Sequence, residues 1–180
     1  MDEVGFHQEF SQFIANAALT NFLVDECDQH HIFTNSFVQF FYFLNRHEPP
    51  AVRFNIYSET RHIPLSEFCE ICLIPSYGEL REPKPAEFEH FLCTSIVCEE
   101  RGMSKATTTS LQFPSVHYFG LFNMKCLTAR EKGSILSAPD LAILRRALHN
   151  DHTYNLGAII ACRLHNNRTK GKIHGGIYAT

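Results

Sequence analysis

Apolar residues fall at Phe6, Phe10, Phe13, Ile14, Ala17 and Phe22, steps close to the helical period, and predict an amphipathic helix within residues 6–24. The polar run Asp25-Glu26-Cys27-Asp28-Gln29-His30-His31 then reads as a linker, with Thr34 or Asn35 placed to cap a second helix. From Phe37 to Leu44 nearly every position is apolar, which predicts a helix covered by neighbours on most sides. At about 1.5–3 kcal/mol per fully buried large side chain, this run is the largest contributor to the core. Pro49 and Pro50 close it. The pattern then switches to a period of two: Val52, Phe54 and Ile56 alternate with Arg53, Asn55 and Tyr57, and Ser58-Glu59-Thr60 turns the chain before Arg61-His62-Ile63. A short β-hairpin near residues 52–63 follows.

Beyond the hairpin, Pro64 suits the first turn of a helix carrying Leu65, Phe68, Cys69 and Cys72 on one face, stopped by Pro75 and Gly78. A solvated connection runs from Tyr77 to Glu89. It leads to a predicted helix from Ala86 to Cys98 with Phe88, Phe91, Leu92 and Ser95 on one side. Ser104 to Phe113 lacks a period, and Val116 to Leu127 is compatible with helix or strand, helix being the expectation. Ser137-Ala138-Pro139-Asp140 is a sharper signal: Ser137 as cap, Pro139 with an early helical φ, and Asp140 at the third position of a capping box. The helix that follows points Leu141, Leu144 and Leu148 inward, and another is expected from Tyr154 to Leu164. The fold class is therefore mainly α, a single globular helical domain with one short β-hairpin inserted, organised as an N-terminal helix and linker (1–35) and a helical domain (36–180).

Composition narrows the class. In 180 residues, 44% are hydrophobic and only 19% charged, below the roughly 25% of a typical domain, so the chain is too apolar for a disordered tail. A net charge of -3 lacks the cation excess of a protein that coats nucleic acid or an acidic membrane. Seven cysteines, an odd number in a chain large enough to have a core, argue against a disulfide framework and for a reducing, intracellular compartment, cytoplasm and nucleus not being distinguished. The acids Asp2, Glu3 and Glu9 argue against a secretory or organelle leader. The longest apolar run is too short for a membrane span.

Several groups of residues bear on chemistry. Cys69-Glu70-Ile71-Cys72 has the spacing of a zinc half-site and His90-Phe91-Leu92-Cys93 formally supplies another, but the cysteines continue the apolar stripe of a helix and read as core thiols. His149, His152, Cys162 and His165 are spaced for a metal across two helices, yet His149 and His152 straddle a polar junction. His30, His31 and His47 suit linker and helix-end positions. Gly171-Lys172-Ile173-His174-Gly175-Gly176 lacks the order of a phosphate loop. Glu79, Glu82, Glu87, Glu89, Glu99 and Glu100 cluster in solvated segments rather than in a tuned pair. No catalytic residue, cofactor or metal ligand is assigned, and the expectation is a protein that is not an enzyme. Residues 141–180 hold six Arg or Lys (Arg145, Arg146, Arg163, Arg168, Lys170 and Lys172) against one acid, Asp151, a locally basic third suited to weak contact with a phosphate backbone. Arg145 and Arg146 read alternatively as the wet side of an ordinary helix. No interleaving of aromatic and basic residues of the kind that forms a stacking groove is evident there.

Several segments in order resemble the gag-like domain encoded by the first open reading frame of Athila-type plant (Arabidopsis) retrotransposons: the aromatic run Phe37–Leu44, the strand-turn-strand ending at Ile63, Pro64-Leu65-Ser66-Glu67-Phe68, Leu141–Leu148 leading into Tyr154-Asn155-Leu156-Gly157, and Gly171-Lys172-Ile173-His174-Gly175-Gly176-Ile177. The likeness covers roughly residues 36–180. It implies a noncatalytic structural or interaction domain, using surface apolar area for self-association or a protein partner, with no active residues to transfer. Asn155 and Gly157 match the family's helix start, Gly175 and Gly176 its late turn, and Pro64, Leu65 and Phe68 its post-hairpin helix. Related proteins continue past the position of Thr180 through another helix and a charged region, so the resemblance implies a truncated or domesticated fragment.

Overall fold

The computed structural model describes residues 3–21, 37, 39–56, 59–92, 106–127 and 135–169. Its first helix, α1 (Glu3–Asn16), turns Phe10 and Phe13 partly inward and buries Ile14, with Ala17 buried just beyond its end. It stops well short of residue 24. Leu19 N–H donates to Ile14 O (3.0 Å) and Ala18 N–H to Ala15 O (2.9 Å), with Ala18 at φ 57°, the two-bond pattern that satisfies the last carbonyls of a helix. The anticipated linker and the cap at Thr34 or Asn35 lie outside the described residues.

The aromatic run is where expectation and structure part. Phe37 and Gln39 are helical, but the chain turns at Phe40 and residues Tyr42–Leu44 form strand β1. A short apolar run of bulky aromatics fits a pleated surface as well as a helix, and here Phe43 pairs with Val52 of β2 (Ala51–Ile56) while β2 pairs with β3 (Glu59–Pro64), all antiparallel in the order β1-β2-β3. The predicted hairpin is thus two strands of a three-stranded sheet. Phe41, fully buried, stacks between Phe54 and Phe68, with ring centroids 6.3 and 5.7 Å away, and Phe37 lies 5.0 Å from Phe54. The run still anchors the core, through one face of a sheet instead of all faces of a helix.

Helix α2 (Leu65–Ile71) follows β3 without a loop, Pro64 standing one position earlier than expected, as its N-cap. Leu65, Phe68 and Cys69 are buried. The helix ends before Pro75 and Gly78, with Leu73 at φ 54° and Ile74 N–H bonded to Cys69 O (2.9 Å). Gly78 has a different task. At φ 106° its backbone lies so close to Tyr154 that a Cβ would sit 2.6 Å from the Tyr154 carbonyl carbon, and this approach lets Glu79 form a parallel bridge with Tyr154. The helix expected over 86–98 begins as a 3-10 turn (Pro85–Phe88) and a single helical turn (Glu89–Phe91), with Phe88, Phe91 and Leu92 buried as the pattern required; residues 93–98 lie outside the described set.

Helix α3 (Pro114–Phe122) widens into a π-turn over Asn123–Leu127. Helix α4 (Ala138–His149) starts as read from Ser137-Ala138-Pro139-Asp140: the buried Asp140 carboxylate accepts Ser137 N–H at 2.7 Å. It ends at Asn150, φ 54°, a residue type that tolerates the left-handed region. Helix α5 (Leu156–Thr169) is capped by Asn155, whose Oδ1 accepts Ala158 N–H at 2.8 Å. The architecture is mainly α. Helix α1 packs on α4 and, through Phe10, Phe13, Phe119 and Phe122, on α3, and the sheet lies against α2 and α5.

Candidate functional site

The residues singled out for chemistry are mostly spent on holding elements together. Cys69 is buried where α2 crosses α5, its sulfur occupying the space a Cβ would fill at Gly157. Burial, with a smaller contribution from Glu70, pushes its thiol up to about 11, and burial together with Cys69 pushes half-buried Cys72 up to about 12. Such thiols stay protonated at neutral pH. His90 is exposed, and Cys93 is outside the described residues. Of the second group, His149 meets the Phe91 ring edge-on at 5.4 Å, His152 pairs with Asn150 (2.7 Å), Cys162 accepts from Asn166, and His165 faces β1. Among the described residues, no three His, Cys, Asp or Glu side chains are grouped to hold a metal ion.

Among the described residues, the basic third forms no solvent-facing strip. Arg146 is only 3% exposed; its Nε donates to Ala17 O (3.0 Å), Nη1 to Tyr154 O (3.4 Å) and Nη2 to Tyr77 Oη (3.3 Å), with the guanidinium 5.3 Å from the Tyr77 ring centre. It fastens the end of α1 to α4 and to the start of α5, corrects its reading as a wet-side residue, and is held below the usual arginine range by burial, opposed by Tyr77 and Asp151. Arg145 is half-buried, 2.8 Å from Asp151 and above the Phe88 ring. Arg163 donates to Ser137 Oγ. Arg168 lies near the end of α5. Lys170, Lys172 and the Gly171–Gly176 stretch fall outside the described residues.

A different constellation, spread over four elements, emerges from strand register. Tyr42, Arg53 and His62 are direct cross-strand neighbours on β1, β2 and β3, so all three side chains project from the same, outer face of the sheet. The Arg53 guanidinium lies over the Tyr42 ring at 4.4 Å. His47, from the β1–β2 connection, meets His62 edge-on with centroids 6.0 Å apart, and His165 of α5 meets Tyr42 at 6.1 Å. The result is one row, His165–Tyr42–Arg53–His62–His47. Arg53, His62 and His47 are exposed; Tyr42 and His165 are half-buried. The row is held from one end: Phe43 N–H donates to His165 Nδ1 (3.3 Å), a bond that leaves the ring proton on Nε2. Parallel to it run a polar row, with Thr60 Oγ1 donating to Asn55 Oδ1 (3.0 Å), and an apolar row of Leu44, Ala51 and Pro64.

No carboxylate belongs to these rows: Glu59 alternates to the other face and pairs with Arg61, and Glu48 stands in the connection beside His47. Aromatic and basic groups therefore interleave on this face. The interleaving runs across strands, where no sequence window contains it. A second feature is apolar. Ile71, Leu73, Tyr77 and Leu80 are 65, 53, 53 and 48% exposed, four large apolar side chains facing water within ten residues.

Comparison of the chain with protein-family models, with curated proteins and with solved structures finds no match in any of the three.

Proposed function

We propose that this chain is a noncatalytic structural domain, of the kind found in gag-like retroelement proteins, that associates with further copies of itself through surface apolar area. The observation carrying this reading is the exposed apolar segment Ile71–Leu80. Single exposed leucines are ordinary, but a local concentration of large apolar side chains in water marks a contact surface. The small net charge of -3 opposes association only weakly. The resemblance over residues 36–180 supplies the retroelement context, and the roles of Asn155 as cap and Gly157 as the seat of the Cys69 sulfur give two of its matching positions a structural reason. Light scattering at several concentrations tests it. Wild type should grow in mass with concentration and Ile71→Lys/Leu73→Lys should remain monomeric; a wild type that is monomeric throughout would reject the reading.

A further inference from the structure

We propose that the outer face of the sheet binds single-stranded nucleic acid, its bases stacking along the row His165–Tyr42–Arg53–His62–His47 and its phosphates meeting Arg53 and Arg46. The proposal is independent of self-association, which uses other residues. Three properties of the face point to this ligand. Four of the five members of the row are flat rings and the fifth is a guanidinium 4.4 Å from the centre of one of them in a cation–π contact, and base stacking on such groups needs no sequence-specific hydrogen bonds. Its charge suits a phosphate backbone: the cross-strand rows carry Arg53 and no acid, and the turn after β1 exposes Arg46 as well as Glu48. Finally, the positions lie on strands, where the pleat and register fix their spacing. Neighbouring strands stand about 4.8 Å apart and successive rows on one face about 6.7 Å apart, so the row and its polar neighbour Asn55–Thr60 offer room for about four nucleotides, the low end of a single-strand site.

An acidic peptide is a poorer match because it brings no flat bases to lie on the rings. Duplex is poorer too, since its bases are already stacked on one another and are not free to lie on side-chain rings.

The test is a titration of the intact chain, followed by amide and side-chain NMR, with octamers of deoxythymidine and uridine, a duplex of equal length and a poly-glutamate peptide. Both single strands should bind, more weakly as salt rises, with shifts concentrated at Tyr42, Arg53, His62 and His47. The pair Tyr42→Leu/Arg53→Ala should weaken binding by about tenfold or more while leaving the urea midpoint nearly unchanged, and Arg53→Lys, which keeps the charge but not the flat fork, should recover only part of it. Absence of salt-sensitive binding would overturn the proposal. So would duplex or poly-glutamate binding as tight as the single strands, or binding that survives the sheet variants and is lost on changing Lys170 and Lys172. Because Tyr42→Leu could loosen the His165 contact, His62→Ala on the exposed strand β3 supplies a second variant that must also weaken binding.

Discussion

Arg146 and Arg53 each place a guanidinium over a tyrosine ring, at 5.3 and 4.4 Å, yet they serve opposite ends. Arg146 itself is buried: two main-chain carbonyls and the Tyr77 hydroxyl take its protons, and α1, α4 and the start of α5 are tied at one point. Around Arg53 the same stacking faces water. A buried cation without a directly paired carboxylate is tolerated only when its donors are satisfied, so the first arrangement fixes structure. The second leaves its guanidinium in water, where no desolvation has to be offset. What separates them is burial and partners, not residue type, a difference that counting basic residues along the chain does not reveal.

The sharpest way to break this contrast is to remove each arginine in turn. Arg146→Met should cost about 3 kcal/mol by stranding its acceptors, read as a lowered urea midpoint, whereas Arg53→Met should change stability by under about 0.5 kcal/mol. Equal effects would dissolve the distinction. Next in size, Gly157→Ala should cost about 1–3 kcal/mol by driving a methyl into the Cys69 sulfur, and Cys69→Ala should recover part of that loss in the double variant, a coupling measurable by a double-mutant cycle.

Acidification probes the inner region through two groups. His152 is held below the usual imidazole range by burial and by Arg146, against Asp151. For Asp151, burial raises the carboxyl, but hydrogen bonds from the Thr153 hydroxyl and N–H, with Arg145 and His152, outweigh it and leave it below its ordinary value. Both folded values are depressed, so their stability is present above the unfolded values and is lost as pH falls through the folded ones. Urea midpoints should drop first below about pH 6.5 and again below about pH 4, with His152→Gln removing the first step. The smallest effect belongs to Leu73→Gly: relieving a left-handed leucine should gain about 0.5–1 kcal/mol, while Asn150→Gly should change little because asparagine already accepts that conformation.

Much of the fold was legible where local chemistry decides it. Ser137, Pro139 and Asp140 start α4 as their types dictate, and Leu65, Phe68 and Cys69 share the buried stripe of α2. The aromatic run was not, because Tyr42–Leu44 becomes a strand only through pairing with Ala51–Arg53, a contact that local period does not encode. Helix ends were missed for a related reason: Ala18 and Leu73 take positive φ without the glycine or asparagine that usually announces it. The outer row was invisible for a third reason. Its members lie 5 to more than 100 positions apart, and only the strand register and α5 bring them side by side.

The bond from Phe43 to His165 also decides how far the sheet extends. By occupying a main-chain donor on β1, it lets a side chain and α5 close that margin, so another chain seeking to lengthen the sheet must add at β3. There it would meet Pro64, which donates no ladder hydrogen bond, and the Glu59–Arg61 ion pair, both deterrents to uncontrolled strand addition and fibre growth.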